Sequence, residues 1–294
     1  MQKKSYIKYL LAVLLFGSNG IVATSISLSS YEIVFLRTLI GSLLLIAIYL
    51  STRPKISFYK HKRSFLFLIV SGAAMGISWM SLFEAYQQIG VSISTLVYYC
   101  GPVIVMALSP ILFHEKLTLI KVGGFVAVLL GIFFVNNQAL SSGLPSTGLF
   151  FAGISAAMYA VMVIFNKKST NIVGLENATV QLFVSFVTVA ILLGFKQGFI
   201  IHVASEDWIP ILILGLLNTG IGCYLYFSSI GKLPAQTVAI CGYLEPLSAV
   251  IFSTLFLNEI LSSLQMVGAA LIIGGAIVGE VFIKRKNNAS DLRG

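Results

Sequence analysis

Apolar runs of about twenty residues follow one another down this chain with little between them. A helical residue rises about 1.5 Å and the hydrocarbon layer of a bilayer is about 30 Å thick, so a run of that length can cross it. Ten such runs are predicted, over residues 8–28, 31–51, 64–84, 93–113, 118–136, 148–166, 176–195, 208–228, 236–257 and 262–283. They use most of the 294 residues and leave no room for a soluble catalytic domain. Composition agrees, with 57% of residues hydrophobic and 10% charged. A soluble domain carries about 25% charged residues. The expected fold class is therefore an all-α membrane protein. The start, "MQKKSYIKYLLAVLLFGSNGIVATS", also has the basic-then-apolar order of a signal peptide. It is long enough to span, however, and the repeat described below needs it, so it is read as the first span.

The formal net charge is +9. With the N-terminus in the cytoplasm and alternate crossings, Lys3, Lys4 and Lys8 fall inside. So do Arg53, Lys55, Lys60, Lys62 and Arg63, then Lys116, Lys121, Lys167, Lys168 and Lys232. Lys284, Arg285, Lys286 and Arg293 complete the inside set in the tail. Of the 19 basic residues only Lys196 falls outside and Arg37 within a span. This is the positive-inside bias. It predicts a multi-pass protein with both termini cytoplasmic, and it explains the charge without a nucleic-acid partner.

The chain also repeats itself. "PVIVMALSPILFHEKLTLIKVGGFVAVLLG" (102–131) aligns with "PLSAVIFSTLFLNEILSSLQMVGAALIIGG" (246–275) at a constant offset of 144. Pro102 matches Pro246, Glu115 matches Glu259, and Gly124 and Gly131 match Gly268 and Gly275. The predicted organisation is a first five-span repeat (1–136), a linker (137–147), a second five-span repeat (148–286) and a tail (287–294). Five is odd, so the second repeat enters the membrane from the opposite side. The ten helices then form two inverted repeats, with Glu115 inside and Glu259 outside. Secondary transporters with inverted repeats expose a midplane site to each side in turn.

The ordered set resembles the drug/metabolite transporter superfamily in its ten-helix EamA-type branch. The likeness rests on Pro102 to Glu115 and Pro246 to Glu259, the glycines that follow each, "YLEP" at 243–246 and "FLRTLIGSLLL" at 35–45. Phe16-Gly17 departs from the Trp-Gly pair frequent in the family. The resemblance implies movement of amino acids, sugars, vitamins or other metabolites, often outward. The expected function is thus a secondary transporter in the cell inner membrane. Amino-acid or related metabolite efflux by alternating access leads. The alternatives are import of a vitamin or sugar-like solute, or a non-transporting partner subunit.

Residues that are expensive in lipid mark where chemistry could lie. Glu245 sits mid-span, and a carboxylate there costs about 3 kcal/mol on insertion scales. It must face the bundle interior, to carry a proton, hold a cationic group or bond a kinked backbone. Arg37 could hold a substrate carboxylate bidentately, pair with Glu32 or Glu245, or snorkel outward. Together the two could hold a zwitterion. Pro102 and Pro246 lack an amide hydrogen and collide with the carbonyls of Tyr98 and Gly242, so a kink or break is expected in each span. Asn19, Trp79, Tyr98, Tyr99, Tyr159, Asn218 and Tyr243 are the further candidates for contact with solute. Glu84 and Tyr224 are polar span residues of the same kind. The expected partners are a small organic solute, with protons as a candidate coupling ion, and the lipid bilayer.

Nothing points to a metal or another cofactor. Cys100, Cys223 and Cys241 form no CxxC pair and read as small apolar filler. No GxxxxGK[ST] loop is present, so direct use of ATP is not expected. His202 with Glu206 and Asp207 is the nearest approach to an enzyme site, and reads as a solvated loop. Glu115 and Glu259, at span ends, are expected to cap the helices that follow them. Gly124/Gly131, Gly268/Gly275 and the GxxxG spacings at 72–76 and 275–279 read as close helix packing.

Overall fold

The structure is a computed structural model and describes residues 2–52, 57–89, 94, 97–135, 146–257, 263–264, 266–275 and 277–278. Among these the regular structure is helical throughout. In chain order the helices are α1 (Gln2–Gly17), α2 (Asn19–Thr24), α3 (Ser30–Thr52), α4 (Lys62–Ile89), α5 (Cys100–Phe113) and α6 (Leu119–Val135). Then follow α7 (Ser146–Lys168), α8 (Gly174–Lys196), α9 (Ser205–Ile230), α10 (Ala235–Gly242), α11 (Leu244–Leu257) and α12 (Met266–Gly275). Among the described residues six segments are long and apolar enough to cross a membrane: Lys3–Ala23, Ser30–Thr52, Lys62–Ile89, Ser146–Lys168, Gly174–Lys196 and Ser205–Ile230. The shorter apolar helices fall in the remaining predicted spans. The linker at 137–145, Glu259 and the tail lie outside the described residues.

The expected breaks are present, and their form follows from proline chemistry. Neither Pro102 nor Pro246 sits inside a continuous helix. Each is the third residue of a helix that restarts just after a turn, at Tyr99 and at Tyr243. A first-turn amide has no intrahelical acceptor, so proline costs nothing there. The two turns share one geometry: Tyr99 has φ −70° and ψ 0°, Tyr243 φ −70° and ψ −4°. A further break, which the sequence reading did not foresee, separates α1 from α2 at Ser18. The signal was there in "FGSNG", which gathers turn-forming residues in an apolar run.

Packing is close and mutual. Ser78 Oγ donates to Ser155 O and Ser155 Oγ to Ser78 O, both at 2.8 Å, and Ser71 Oγ donates to Met162 O at 2.6 Å. These join α4 and α7 antiparallel. Gly72 and Gly76 let α8 approach: a Cβ at either would stand 2.7 Å from Gln181 O or 2.9 Å from Ser185 O. α6 and α12 meet through the repeated glycines. A Cβ on Gly131 would stand 2.6 Å from Gly268 O, and one on Gly275 closer still to Gly124 O. Residue numbers rise along one helix where they fall along the other, so these two helices are antiparallel.

Connections are tied by carboxylates. Glu115 does not cap the helix that follows it. His114, left-handed at φ 55°, ends α5 and turns Glu115 toward α10. The Ala235 and Gln236 amides donate to Glu115 Oε1 and Oε2 at 2.5 and 3.1 Å. The residue preceding α10 is Pro234, whose side chain cannot accept a hydrogen bond, so the cap comes from another part of the chain. Asp207 is likewise no solvated loop residue: it is 1% exposed and accepts from the Ser27 amide at 3.2 Å. Glu176 accepts from the amides of Ser57 and Phe58 at 2.7 and 2.9 Å. Cys223 and Cys241 are buried as expected, whereas Cys100 lies on the exposed side of α5 and does not act as filler.

Candidate solute site

α3 brings Arg37 to the interior, 5% exposed despite its charge. Its Nε donates to Thr219 Oγ1 at 2.9 Å, and its guanidinium carbon lies 4.6 Å from the Trp79 ring centroid. Thr219 is available because residues 213–221 of α9 form a π-helix, in which Thr219 Oγ1 reaches back to Leu214 O at 2.8 Å. The wider π turn places Asn218 Nδ2 within hydrogen-bond reach of Leu15 O (3.0 Å), Ser18 Oγ (2.8 Å) and Asn19 Oδ1 (3.0 Å). Leu15 O already accepts from the Ser18 amide at 3.1 Å and the Ser18 hydroxyl at 2.7 Å, so Asn218 adds a donor from α9 that ties this helix to the break, and Asn19 is its partner.

Glu245 enters from α11. It is the second residue of that helix, where free amide groups and the positive end of the helix dipole favour a carboxylate. No ion pair within 4.0 Å joins Glu245 and Arg37 among the described residues. Arg37 does not use Glu32 either, since Glu32 accepts from the Ser29 amide at 2.9 Å and the Ser29 hydroxyl at 2.7 Å. Nor does it snorkel outward.

Tyrosines wall this space. Tyr98 packs on Tyr159 and on Tyr99, with ring centroids 5.3 and 5.5 Å apart. Tyr159 and Tyr226 share a hydrogen bond between hydroxyls at 3.2 Å, and the Tyr9 ring packs tilted against Tyr226 with centroids 5.3 Å apart. Tyr243 is fully buried, and its hydroxyl donates to Tyr99 O at 2.7 Å, so it braces the two breaks against each other. Trp79, Glu245 and Asn19 keep accessible surface, while Tyr98, Tyr99, Tyr159 and Asn218 are buried behind them.

The sequence reading missed Tyr9 and Tyr226. Tyrosine recurs in many spans, and only packing tells which one faces inward. Tyr224, two residues from Tyr226, belongs elsewhere, against Lys8. Glu84 also stands apart, paired with Lys196 and bonded by Gln88 Nε2 at 3.0 Å. No group of three His, Cys, Asp or Glu side chains able to hold a metal occurs among the described residues.

The sequence matches the model of the EamA-like transporter family twice, over residues 3–137 and 146–279. It is 27% identical over 288 residues to the uncharacterised transporter YxxF of Bacillus subtilis (strain 168), covering 97% of this chain and 91% of that one. Similarity to the uncharacterised transporter YvbV of the same organism is 25% identity over 271 residues, 89% of this chain and 86% of the other. The fold is similar to that of a protein solved by crystallography, with a TM-score of 0.82 and 18% identity over 97% of this chain and 99% of the other.

Proposed function

From the premise that this chain belongs to the EamA-like transporter family of multi-pass membrane proteins, we propose that it carries small zwitterionic metabolites, amino acids or their relatives, outward by alternating access. The observation that carries the reading is a buried guanidinium, Arg37, held only by the neutral Thr219 and Trp79, in a bundle whose one other mid-span charge of this kind, Glu245, has no ion pair within 4.0 Å among the described residues. Arg37 spends one hydrogen bond on Thr219 and a face on Trp79. Its terminal nitrogens are left for a carboxylate, which a guanidinium fork binds bidentately. Glu245 is left for an ammonium group or a proton.

The same reading makes the molecule two oppositely inserted five-span halves, 1–136 and 148–286, with both termini cytoplasmic. What supports it is the pairing of Gly124 with Gly275 and Gly131 with Gly268. These helices are equivalent in sequence, yet they run antiparallel. The test is flux in proteoliposomes from a panel of amino acids and uncharged sugars, with and without a pH gradient. A zwitterion should move, and Arg37→Met and Glu245→Gln should each slow it at least about tenfold, the cost of one lost charged hydrogen bond. Transport indifferent to both substitutions would sink the reading.

A further inference from the structure

A second charged feature lies away from the solute site, in the crevice between α1 and α9. Lys8 Nζ reaches across it, 3.3 Å from the Tyr224 hydroxyl, 3.4 Å from Ser228 Oγ and 4.7 Å from the Tyr224 ring centroid. All these partners are neutral. Neither α1 nor residues 222–233 contain Asp or Glu. The helix end nearby does not require Lys8 as a cap. Lys167 Nζ already takes Ile230 O at 3.2 Å, and takes Leu233 O as well. Lys4 stands one turn before Lys8 on α1, and Lys232 four residues after Ser228, which adds positive charge at the same end. The start of α1 adds its own positive dipole.

These groups make a site for a phosphate: an ammonium and the Tyr224 hydroxyl as donors, beside Ser228, whose hydroxyl donates to Leu225 O at 3.4 Å and would turn from it to join them, with further lysines at the rim. The surroundings select its source. Away from the helix ends the same faces turn apolar and exposed: Leu11, three residues after Lys8 on α1, is 48% exposed, and Ile221 and Leu217, three and seven residues before Tyr224 on α9, are 38% and 46% exposed. A phosphate attached to hydrocarbon chains matches both parts; a free phosphate matches only the first. Basic pockets between membrane helices hold lipid headgroups elsewhere in just this way. We propose that this crevice binds an anionic phospholipid, its phosphate on Lys8, Tyr224 and Ser228 and its chains along Leu11, Leu217 and Ile221.

The test uses the purified full-length chain and reads retained lipid by native mass spectrometry. The readout therefore does not depend on transport. The probes are dioleoylphosphatidylglycerol, dioleoylphosphatidylcholine and inorganic phosphate. The glycerol lipid should be preferred over the choline lipid by about fivefold or more, the contribution expected of one lysine near anionic headgroups. Lys8→Met should abolish that preference and Lys8→Arg should keep it. Lys60→Met, the same loss of charge at a distant exposed site, should leave it unchanged. Should Lys8→Met fail to fold, Tyr224→Phe removes only a hydroxyl and should lower the preference about twofold, part of one hydrogen bond. Wild-type retention in Lys8→Met and Tyr224→Phe overturns the proposal, as does equal loss in Lys60→Met. Displacement of the lipid by millimolar inorganic phosphate overturns the lipid assignment in favour of a free phosphate.

Discussion

Arg37 is gripped on one side by Thr219 and on the other by Trp79. A buried cation held this way keeps its direction without being neutralised, which a site for an anionic group requires. Thr219→Val keeps the shape and removes the acceptor. Hydrogen bonds to charged groups contribute about 1.5–3 kcal/mol, so apparent affinity for a carboxylate-bearing solute should weaken roughly tenfold or more. Thr219→Ser should stay near wild type, and substrate counterflow in proteoliposomes measures both. Arg37 and Glu245 were legible in the sequence because charge inside an apolar run is costly enough to need a reason. Thr219 was not, since a threonine in a membrane helix commonly bonds its own backbone. Only the π-helix, a property of packing, turns its oxygen toward α3. Asp207 misled for the same reason: whether a loop acid is wet depends on the loop that folds over it, here residues 25–29.

Broken helices are the recurring device at the scale of elements, and each break has its own means of satisfying freed backbone. At Ser18 the residue's own amide and hydroxyl donate to Leu15 O and Asn218 joins them from α9, and at Tyr99 it is the Tyr243 hydroxyl. Asn218→Leu removes the hydrogen bonds that tie α9 to Leu15 O, Ser18 Oγ and Asn19 Oδ1 and should cost about 1–3 kcal/mol, seen as a lower unfolding temperature in detergent. At the start of α10 it is Glu115. Glu115→Ala should remove a helix cap, about 1–2 kcal/mol, whereas Glu115→Gln should retain part of it through the remaining oxygen. The proline breaks could be read from sequence because proline acts locally. The capping of α10 could not, because donor and acceptor lie 120 residues apart.

Across the whole molecule, the repeated glycines tie sequence to architecture most directly. Gly131 and Gly275 make the same contact from opposite helices, so Gly131→Ala and Gly275→Ala should destabilise to a similar degree, about 1–3 kcal/mol each by overpacking. They strain one interface, so the double variant should cost less than the two together, by thermal unfolding of all four proteins. Labelling from each side of the membrane should find positions 115 and 259 on opposite faces. Glu115 has one more implication, which concerns time. The ribosome delivers this carboxylate long before Ala235 and Gln236 emerge, so an acceptor made early waits for donors made late. The later half of the polypeptide, synthesised by itself, would therefore begin α10 bare, and supplying the earlier half as a separate strand should let it mature.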